Sequence, residues 1–180
     1  MPLSKQEWRK KLKAIREAIH PERKKVASEK ACQGLKRMLG KEGLVLSFSS
    51  FGSEIDLWSL NRVLAQEGRL VLPRVFGNQL LLYQVDNLND LEPHALGMLE
   101  PIPAHCREMD LLSVAVALVP GLGFDLQSKH RLGYGGGHYD RLLLGAIPGL
   151  QKWGVGFAEQ GADNLPDDPQ DVVLDHIFLF

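Results

Sequence analysis

The sequence contains little cysteine and no long apolar segment. Its two cysteines, Cys32 and Cys106, cannot build a disulfide framework and form no CxxC pair, which favours the reducing cytoplasm. No apolar run approaches the roughly 20 residues that a membrane-spanning helix needs. No apolar segment follows the basic N-terminal residues, as it would in a signal peptide. We therefore expect a cytoplasmic protein without a membrane partner.

Internal repeats, low-complexity tracts and linkers are also missing from the sequence. Of its 180 residues, 44% are hydrophobic and 24% are charged, which is typical of a globular protein large enough to bury a core. We therefore predict a single domain covering residues 1–180, and we expect a monomer.

A net charge of −1 hides a strong asymmetry along the chain. Residues 1–41 hold 13 lysines and arginines against 4 acidic residues, a balance of +9, whereas the remainder holds 8 against 18, a balance of −10. A basic segment can bind nucleic acid or another polyanion. It can equally be the solvated face of a helix lying on an acidic body. We favour the second interpretation and expect no nucleic-acid partner.

The apolar periodicity predicts two N-terminal helices and then strands alternating with helices. Helices are expected over residues 4–19, 21–39, 55–66 and 138–144. Strands are expected over residues 44–51, 69–75, 80–85, 114–120, 153–157 and 176–180. In the first helix, Trp8, Leu12, Ile15 and Ile19 share one face, with lysines and arginines opposite. This alternation is typical of an α/β layered domain.

Sites in open α/β sheets lie in loops beyond the carboxyl ends of the strands. Three loops fit that description: residues 49–54, residues 121–140 and the acidic stretch after Phe157. We expect these loops to converge.

The segment RLGYGGGHYDR, residues 131–141, holds four glycines in five positions. Glycine tolerates positive φ and lets a backbone approach a ligand closely, and successive N–H groups in such a loop can bind an anion. A helix that begins near His138 would add partial positive charge. The segment contains no Walker A motif, and Gly121 and Gly123 lack the third glycine of a dinucleotide-binding fingerprint. An ordinary glycine-rich turn is the alternative, but the whole segment favours phosphate binding.

A longer stretch, VPGLGFDLQSKHRLGYGGGHYDRLL, carries a specific resemblance. Its PGxxFD, RLGxGxG and aromatic-Asp elements resemble the signature of the 5-formyltetrahydrofolate cyclo-ligases, also called methenyltetrahydrofolate synthetases. Weaker agreement covers most of the chain, including SFSSFGSEID (residues 47–56), LPR (72–74), EPIP (100–103), GVGFAEQ (154–160) and LPDDPQDVVLD (165–175).

The resemblance implies a fold and an activity. The implied fold is a single-domain, three-layer open α/β sheet like that of ribose-phosphate isomerase and CoA-transferase-like proteins, here with a basic N-terminal helical pair. The implied activity is the ATP- and Mg²⁺-dependent cyclisation of 5-formyltetrahydrofolate to 5,10-methenyltetrahydrofolate, with release of ADP and phosphate. ATP would phosphorylate the formyl oxygen, and N10 would then attack the activated carbon.

The resemblance also implies roles for individual residues. Lys5 and Arg131 are the implied catalytic cations. The implied ATP-binding set is Lys5, Arg9, Arg131, Leu132, Gly133, Tyr134, Gly135, Gly136, Gly137, His138 and Tyr139. The implied folate-binding set is Ser49, Glu54, Tyr134, Gly135, Gly136, Gly137 and His138.

Two carboxylates match the family's metal positions. Asp140 matches one of them, and Asp171 matches the other, with Asp175 as an alternative for the second role. Mg²⁺ prefers oxygen ligands and keeps several waters, so one or two carboxylates together with phosphates suffice. An acidic surface segment remains the plain alternative for Asp171 and Asp175. For Asp140→Ala we expect loss of turnover with the fold intact.

His138 is a departure from the family's pattern, which commonly has Tyr or Phe at this position. An imidazole titrates near neutral pH, so substrate affinity or the pH optimum can differ. Two other functions stay open: a non-catalytic nucleotide- or polyanion-binding module, and a small-molecule kinase or ligase that acts on another acceptor.

Overall fold

A mostly parallel sheet forms the centre of the molecule. The computed structural model describes residues 3–144 and 148–180. In this part of the chain, seven strands form one sheet: β1 (Leu44–Leu46), β2 (Leu70–Phe76), β3 (Gln79–Gln84), β6 (Arg107–Met109), β7 (Val114–Val119), β10 (Gln151–Gly156) and β11 (His176–Leu179). Their spatial order is β11-β10-β7-β1-β2-β3-β6, with parallel pairing from β11 to β2 and antiparallel pairing beyond it.

Helices and loop segments cover both faces of the sheet. The helices are α1 (Lys5–Ala18), α2 (Pro21–Met38), α3 (Trp58–Gln66) and α4 (His138–Leu143). One face packs against α2 and α3 in a core that includes Leu35, Leu64 and Leu118, and the other face packs against α4 through Leu143. This architecture confirms the predicted α/β class with a mostly parallel open sheet in three layers.

Local sequence explains where the first helices begin. Ser4 and Glu7 form a reciprocal capping box at the start of α1. Pro21 occupies the first turn of α2, where its missing N–H leaves no hydrogen bond unmade. Both helices lie close to their predicted ranges. Within the described residues, no helix is both long enough and apolar enough to cross a membrane.

Two predicted elements are shorter than expected. Strand β1 ends at Leu46, and α3 begins at Trp58 because the Asp56 carboxylate accepts the Trp58 N–H at 2.8 Å. Ile55 and Leu57 are buried in extended backbone, which explains why their apolar pattern was mistaken for helix. The residues between β1 and α3 therefore form a loop at the carboxyl edge of the sheet.

Four short strands outside the main sheet were not predicted. They pair as two hairpins, β4 (Leu91–Pro93) with β5 (Leu99–Pro101), and β8 (Gly123–Phe124) with β9 (Arg131–Leu132). The β8–β9 hairpin brings the residues before the glycine-rich segment back beside the end of β7. There Leu12 of α1 packs against Leu122 and Leu132, so α1 lies over this hairpin.

The Phe124 ring anchors the hairpin to the sheet by lying on two glycines of β10. A Cβ atom at Gly154 would lie 2.8 Å from Phe124 Cε1 and 2.7 Å from Leu174 Cδ1, and one at Gly156 would lie 2.8 Å from Phe124 Cε2. Phe124 is fully buried. The ring therefore requires the absence of side chains at both positions.

Gly154→Ala is expected to lower the free energy of unfolding by about 1–3 kcal/mol, because the added methyl overfills this contact. Urea denaturation measures the loss. A second substitution, Phe124→Leu, makes room for the methyl, so the double variant should lose less stability than the two single losses combined. Strict additivity of the two losses would contradict the contact.

Candidate functional site

The glycine-rich loop, residues 133–137, connects β9 to α4. Gly135 and Gly137 adopt positive φ angles of 104° and 64°, which residues with a Cβ atom rarely adopt. At Gly133, a Cβ atom would lie 2.7 Å from Arg131 Nη1. At least three of the four glycines are therefore required by the backbone path or by a close neighbour.

Arg131 lies under the glycine-rich loop as a buried cation, with 9% of its surface exposed. Its Nη2 donates to Asp140 Oδ1 at 3.1 Å, and its guanidinium carbon lies 5.6 Å from the centre of the Tyr139 ring. Burial lowers the pKa of Arg131, although the Asp140 carboxylate acts against this shift. Its Nε is buried without a partner among the described residues, so the guanidinium retains an unused donor.

Asp171 lies near Asp140 on the segment that precedes β11. The neighbouring Val172 N–H donates to Asp140 Oδ1 at 3.4 Å. Asp171 Oδ2 accepts from Lys5 Nζ at 2.5 Å and from the Asp168 N–H at 2.8 Å. Burial opposes ionisation of Asp171, but these two hydrogen bonds outweigh it and lower the pKa.

Asp175 contacts Lys152 of β10. Its carboxylate accepts the Lys152 N–H at 2.7 Å and pairs with Lys152 Nζ at 3.5 Å. Of the two acidic residues, Asp171 is the one whose neighbour, Val172, hydrogen-bonds to Asp140.

Helix α1 contacts the site with three cations that lie on the same side as Leu12, a member of the predicted apolar face. Lys5, Arg9, Leu12 and Arg16 are spaced by four, three and four residues, which places them on one side of a helix. Lys5 reaches Asp171, and Arg9 Nε donates to Gly133 O at 3.0 Å. Leu12 and Arg16 are buried, whereas 36% of Ile15 is exposed.

Glu54 faces the glycine-rich loop from the segment between β1 and α3. Its Oε1 accepts the Tyr134 hydroxyl at 2.9 Å, and its Oε2 accepts the Phe51 N–H at 3.3 Å. Burial raises the pKa of Glu54, while Tyr134, Arg16 and the Phe51 N–H act against this shift. Ser49, from the same segment, is buried, and its hydroxyl has no partner among the described residues.

The three loops expected to converge do meet. The Tyr134–Glu54 hydrogen bond joins the loop of residues 49–54 to the glycine-rich loop. Gln160, beyond Phe157, donates to Gly121 O at 2.8 Å and to Leu122 O at 3.1 Å. The carboxyl ends of β1, β7 and β10 therefore share one site.

His138 and Tyr139 begin α4 behind the glycine-rich loop. His138 is partly buried, and its Nδ1 has no partner in the described part of the chain. Burial raises the pKa of the Tyr139 hydroxyl well above its usual range. Leu132 is buried against Leu12 and anchors the start of the loop.

Two site residues were missed by sequence reasoning. Arg16 donates to Tyr134, to Ser53 and to Gly121 O. Arg141 donates to Gly136 O at 2.5 Å and to Asn78 O at 2.7 Å, which joins the loop to the β2–β3 hairpin. Their spacing along the chain carried no signal, because the three partners of Arg16, and Asn78 as a partner of Arg141, lie far away in sequence.

The fold and these side chains define a mostly parallel α/β protein with cations, carboxylates and a glycine-rich loop at one edge of its sheet. The chain belongs to the 5-formyltetrahydrofolate cyclo-ligase family, whose model matches residues 2–179. The family resemblance seen in the glycine-rich segment is thereby confirmed.

Named relatives agree with this membership. The 5-formyltetrahydrofolate cyclo-ligase of Saccharomyces cerevisiae is 32% identical over 108 residues, which cover 54% of this chain and 49% of that protein. The enzyme of the same name from Mycolicibacterium smegmatis is 36% identical over 81 residues, covering 45% and 41%. These matched segments span about half or less of the relatives' lengths.

Solved structures match nearly the whole chain. The 5,10-methenyltetrahydrofolate synthetase of Aquifex aeolicus superposes with a TM-score of 0.85 at 34% identity, covering 97% of this chain and 89% of that one. The synthetase from Mycoplasma pneumoniae superposes with a TM-score of 0.77 at 22% identity, covering 97% and 98%, and supports the fold alone.

Because Asp140 forms an ion pair with the buried Arg131, we predict that replacing Asp140 lowers the stability of the fold, which the sequence alone did not suggest. Asp140→Ala leaves a buried cation without its carboxylate and should lower the free energy of unfolding by about 2 kcal/mol. Asp140→Asn keeps an acceptor oxygen and should lose clearly less. Urea denaturation compares both with Asp163→Ala, a change at an exposed position. Equal stability of the Ala and Asn variants would contradict the pair's importance.

Proposed function

We propose that this protein catalyses the ATP- and Mg²⁺-dependent cyclisation of 5-formyltetrahydrofolate to 5,10-methenyltetrahydrofolate, with release of ADP and phosphate. Family membership supports the reaction class. The observation that carries the proposal is the placement of Arg9 and Arg131 against the glycine-rich loop, which contacts Glu54 through Tyr134, together with the pairing of Lys5 with Asp171. A single domain, a monomer and a cytoplasmic location stay predictions from the sequence.

The nucleotide's phosphates are proposed to bind at the glycine-rich loop. Arg131 supplies a buried cation, and Lys5 and Arg9 supply two more from α1. Gly135 and Gly137 have positive φ angles and no side chains, so a phosphate can approach the backbone of the loop closely at these residues. Phosphoryl transfer depends mainly on positioning and charge neutralisation, and three cations with a glycine backbone suit that task. The remainder of the proposed ATP set, Leu132 and residues 133–139, forms the floor and rim of this loop.

The donor chemistry at the site fits Mg²⁺. Asp140 and Asp171 are hard oxygen donors near one another, and within the described residues no group of three metal-ligating side chains forms a cage. Mg²⁺ is usually held by one or two carboxylates together with substrate phosphates. When bound, the ion would neutralise charge on the transferring phosphate. Asp140 and Asp171 would hold it, because the Val172 N–H beside Asp171 donates to the Asp140 carboxylate.

The folate is proposed to bind on the other side of the glycine-rich loop. Glu54 offers an acceptor for the N–H groups of a pterin, and the Ser49 hydroxyl has no other partner among the described residues. Residues 134–138 lie between Glu54 and the cations, so they would contact both substrates. His138 adds an imidazole at this boundary, and its Nδ1 has no hydrogen-bond partner among the described residues.

The proposed reaction proceeds in two steps. The formyl oxygen attacks the γ-phosphorus of ATP, the P–O bond to ADP breaks, and the formyl carbon becomes electrophilic. N10 then attacks that carbon and loses its proton, while the C–O bond breaks to release phosphate. Lys5 and Arg131 would balance negative charge in both steps, since the phosphate is the leaving group of the second. Exclusion of water by the loop would protect the activated intermediate.

A direct assay tests the proposed function. The protein is incubated with 5-formyltetrahydrofolate, ATP and Mg²⁺, and the absorbance of the methenyl product is followed. We expect product only when all three components are present. If ATP binds but no product forms, the site is instead a non-catalytic nucleotide-binding module or a ligase or kinase with another acceptor, and ADP release in the presence of other acceptors separates these two.

The second carboxylate is tested by paired variants. Asp171→Asn should lower kcat by about 100-fold, because it weakens the hold on the Mg²⁺ ion that would neutralise charge on the transferring phosphate. Asp175→Asn is the matched control and should leave kcat nearly unchanged. Calorimetry should also show weaker Mg²⁺-dependent ATP binding in the Asp171 variant alone. The reverse pattern would assign the role to Asp175.

A further inference from the structure

Arg16 is a buried arginine that the proposed function leaves without a role. Only 3% of its surface is exposed, although it lies on a strongly basic helix. Its guanidinium donates to Ser53 Oγ at 3.0 Å, to Gly121 O at 3.3 Å and to the Tyr134 hydroxyl at 2.5 Å. These partners belong to three separate loops at the carboxyl edge of the sheet.

Tyr134 is the partner that connects Arg16 to the proposed substrate acid. Its hydroxyl accepts from Arg16 Nη2 and donates to Glu54 Oε1 at 2.9 Å. Its ring lies 5.4 Å from the Arg16 guanidinium and 6.4 Å from the Phe51 ring. The direction of the hydroxyl is therefore fixed, because one side receives a hydrogen bond and the other side gives one.

We propose that Arg16 is a positioning residue that orients the Glu54 carboxylate through the Tyr134 hydroxyl. In this role Arg16 does not touch either substrate. It holds Tyr134, at the tip of the glycine-rich loop, against Glu54, and so it sets the separation between the nucleotide loop and the folate acid. The inference rests on the proposed function for its kinetic consequences, but the hydrogen-bonded chain can be tested without it.

The charges around Glu54 determine in which direction its pKa should shift when Arg16 is lost. Arg16 from α1, Tyr134 from the glycine-rich loop and Tyr139 from α4 are the titratable groups that act on or respond to Glu54. Burial raises the pKa of Glu54, and Tyr134, Arg16 and the Phe51 N–H oppose that rise. Loss of Arg16 should therefore raise the pKa of Glu54 further, so that the carboxylate is protonated at a higher pH.

An arginine is better suited to this role than a lysine. Its planar fork lets Nε, Nη1 and Nη2 each reach a different loop, whereas an ammonium group is a single point of attachment. Arg16→Lys should keep the positive charge but lose part of the orientation. Arg16→Met should lose both.

The first test measures the pKa of Glu54 in the free protein by carboxyl carbon NMR, with Glu54→Gln used to assign the signal. The pKa should rise most in Arg16→Met, less in Arg16→Lys and also in Tyr134→Phe. Lys13→Met removes the same charge from an exposed position of α1 and should leave it unchanged. An unchanged pKa in both Arg16→Met and Tyr134→Phe would overturn the proposal. Tyr134 is half exposed, so its variant keeps the test valid if Arg16→Met does not fold.

The second test uses steady-state kinetics. Arg16→Met and Tyr134→Phe should each raise KM for 5-formyltetrahydrofolate about tenfold, the effect of one charge-assisted hydrogen bond, and move the acidic limb of kcat/KM to higher pH. KM for ATP should change little in Arg16→Met. The double variant should be no worse than the poorer single variant, and additive effects would overturn the chain of contacts. If the wild-type protein makes no methenyl product, the proposed function fails, while the NMR result still decides the role of Arg16.

Discussion

The close approach of α1 to the β8–β9 hairpin is the constraint on which the site depends. A Cβ atom at Gly123 would collide with the Leu12 side chain and force it to move. Leu12 packs closely on this hairpin, and the residues at helical spacing from it point to the same side. Lys5, Arg9 and Arg16 consequently reach Asp171, Gly133 and Tyr134. One steric contact thus directs three cations into the carboxyl edge of the sheet.

The electrostatics of the edge follow from this placement. Lys5 of the basic N-terminal segment pairs with Asp168 and Asp171 of the acidic remainder of the chain. The pairs are organised rather than diffuse: Lys5 with Asp171, Arg131 with Asp140, and Arg16 with Glu54 through Tyr134. Each pair joins a cation to a carboxylate that the proposed reaction also uses. When the substrates bind, these cations and carboxylates would exchange their present partners for substrate groups, within a site whose positive and negative charges already offset one another.

Sequence reasoning succeeded where local chemistry decides structure. The apolar periodicity of the first two helices and the apolar run of β7 predicted elements close to those observed, and the Ser4 capping box and Pro21 are local features that set where those helices begin. The glycine-rich segment identified the family because its glycines are required by backbone angles that are local. The predicted range of α3 was wrong at its start. Ile55 and Leu57 are buried in extended backbone, and their apolar spacing is the same as that of buried residues in a helix.

The burial of Arg16 could not be predicted from the sequence. Three residues of the predicted apolar face, Trp8, Leu12 and Ile19, are buried or partly buried, but Ile15 is exposed although the amphipathic pattern favoured it over Arg16. Arg16 is buried because it finds hydrogen-bond partners on three loops that are distant in sequence. A buried arginine is stable only where such partners exist. Their presence is a property of the folded chain, and no spacing within α1 encodes it.

The central claim is that α1 and the glycine-rich loop bind the same nucleotide. Hydrogen exchange in the presence and absence of ATP with Mg²⁺, without folate, tests this claim most directly, since it reports protection of individual backbone amides. We predict slower exchange both in residues 133–139 and in the part of α1 that contains Lys5 and Arg9. Protection confined to the loop, with α1 unchanged, would contradict the claim.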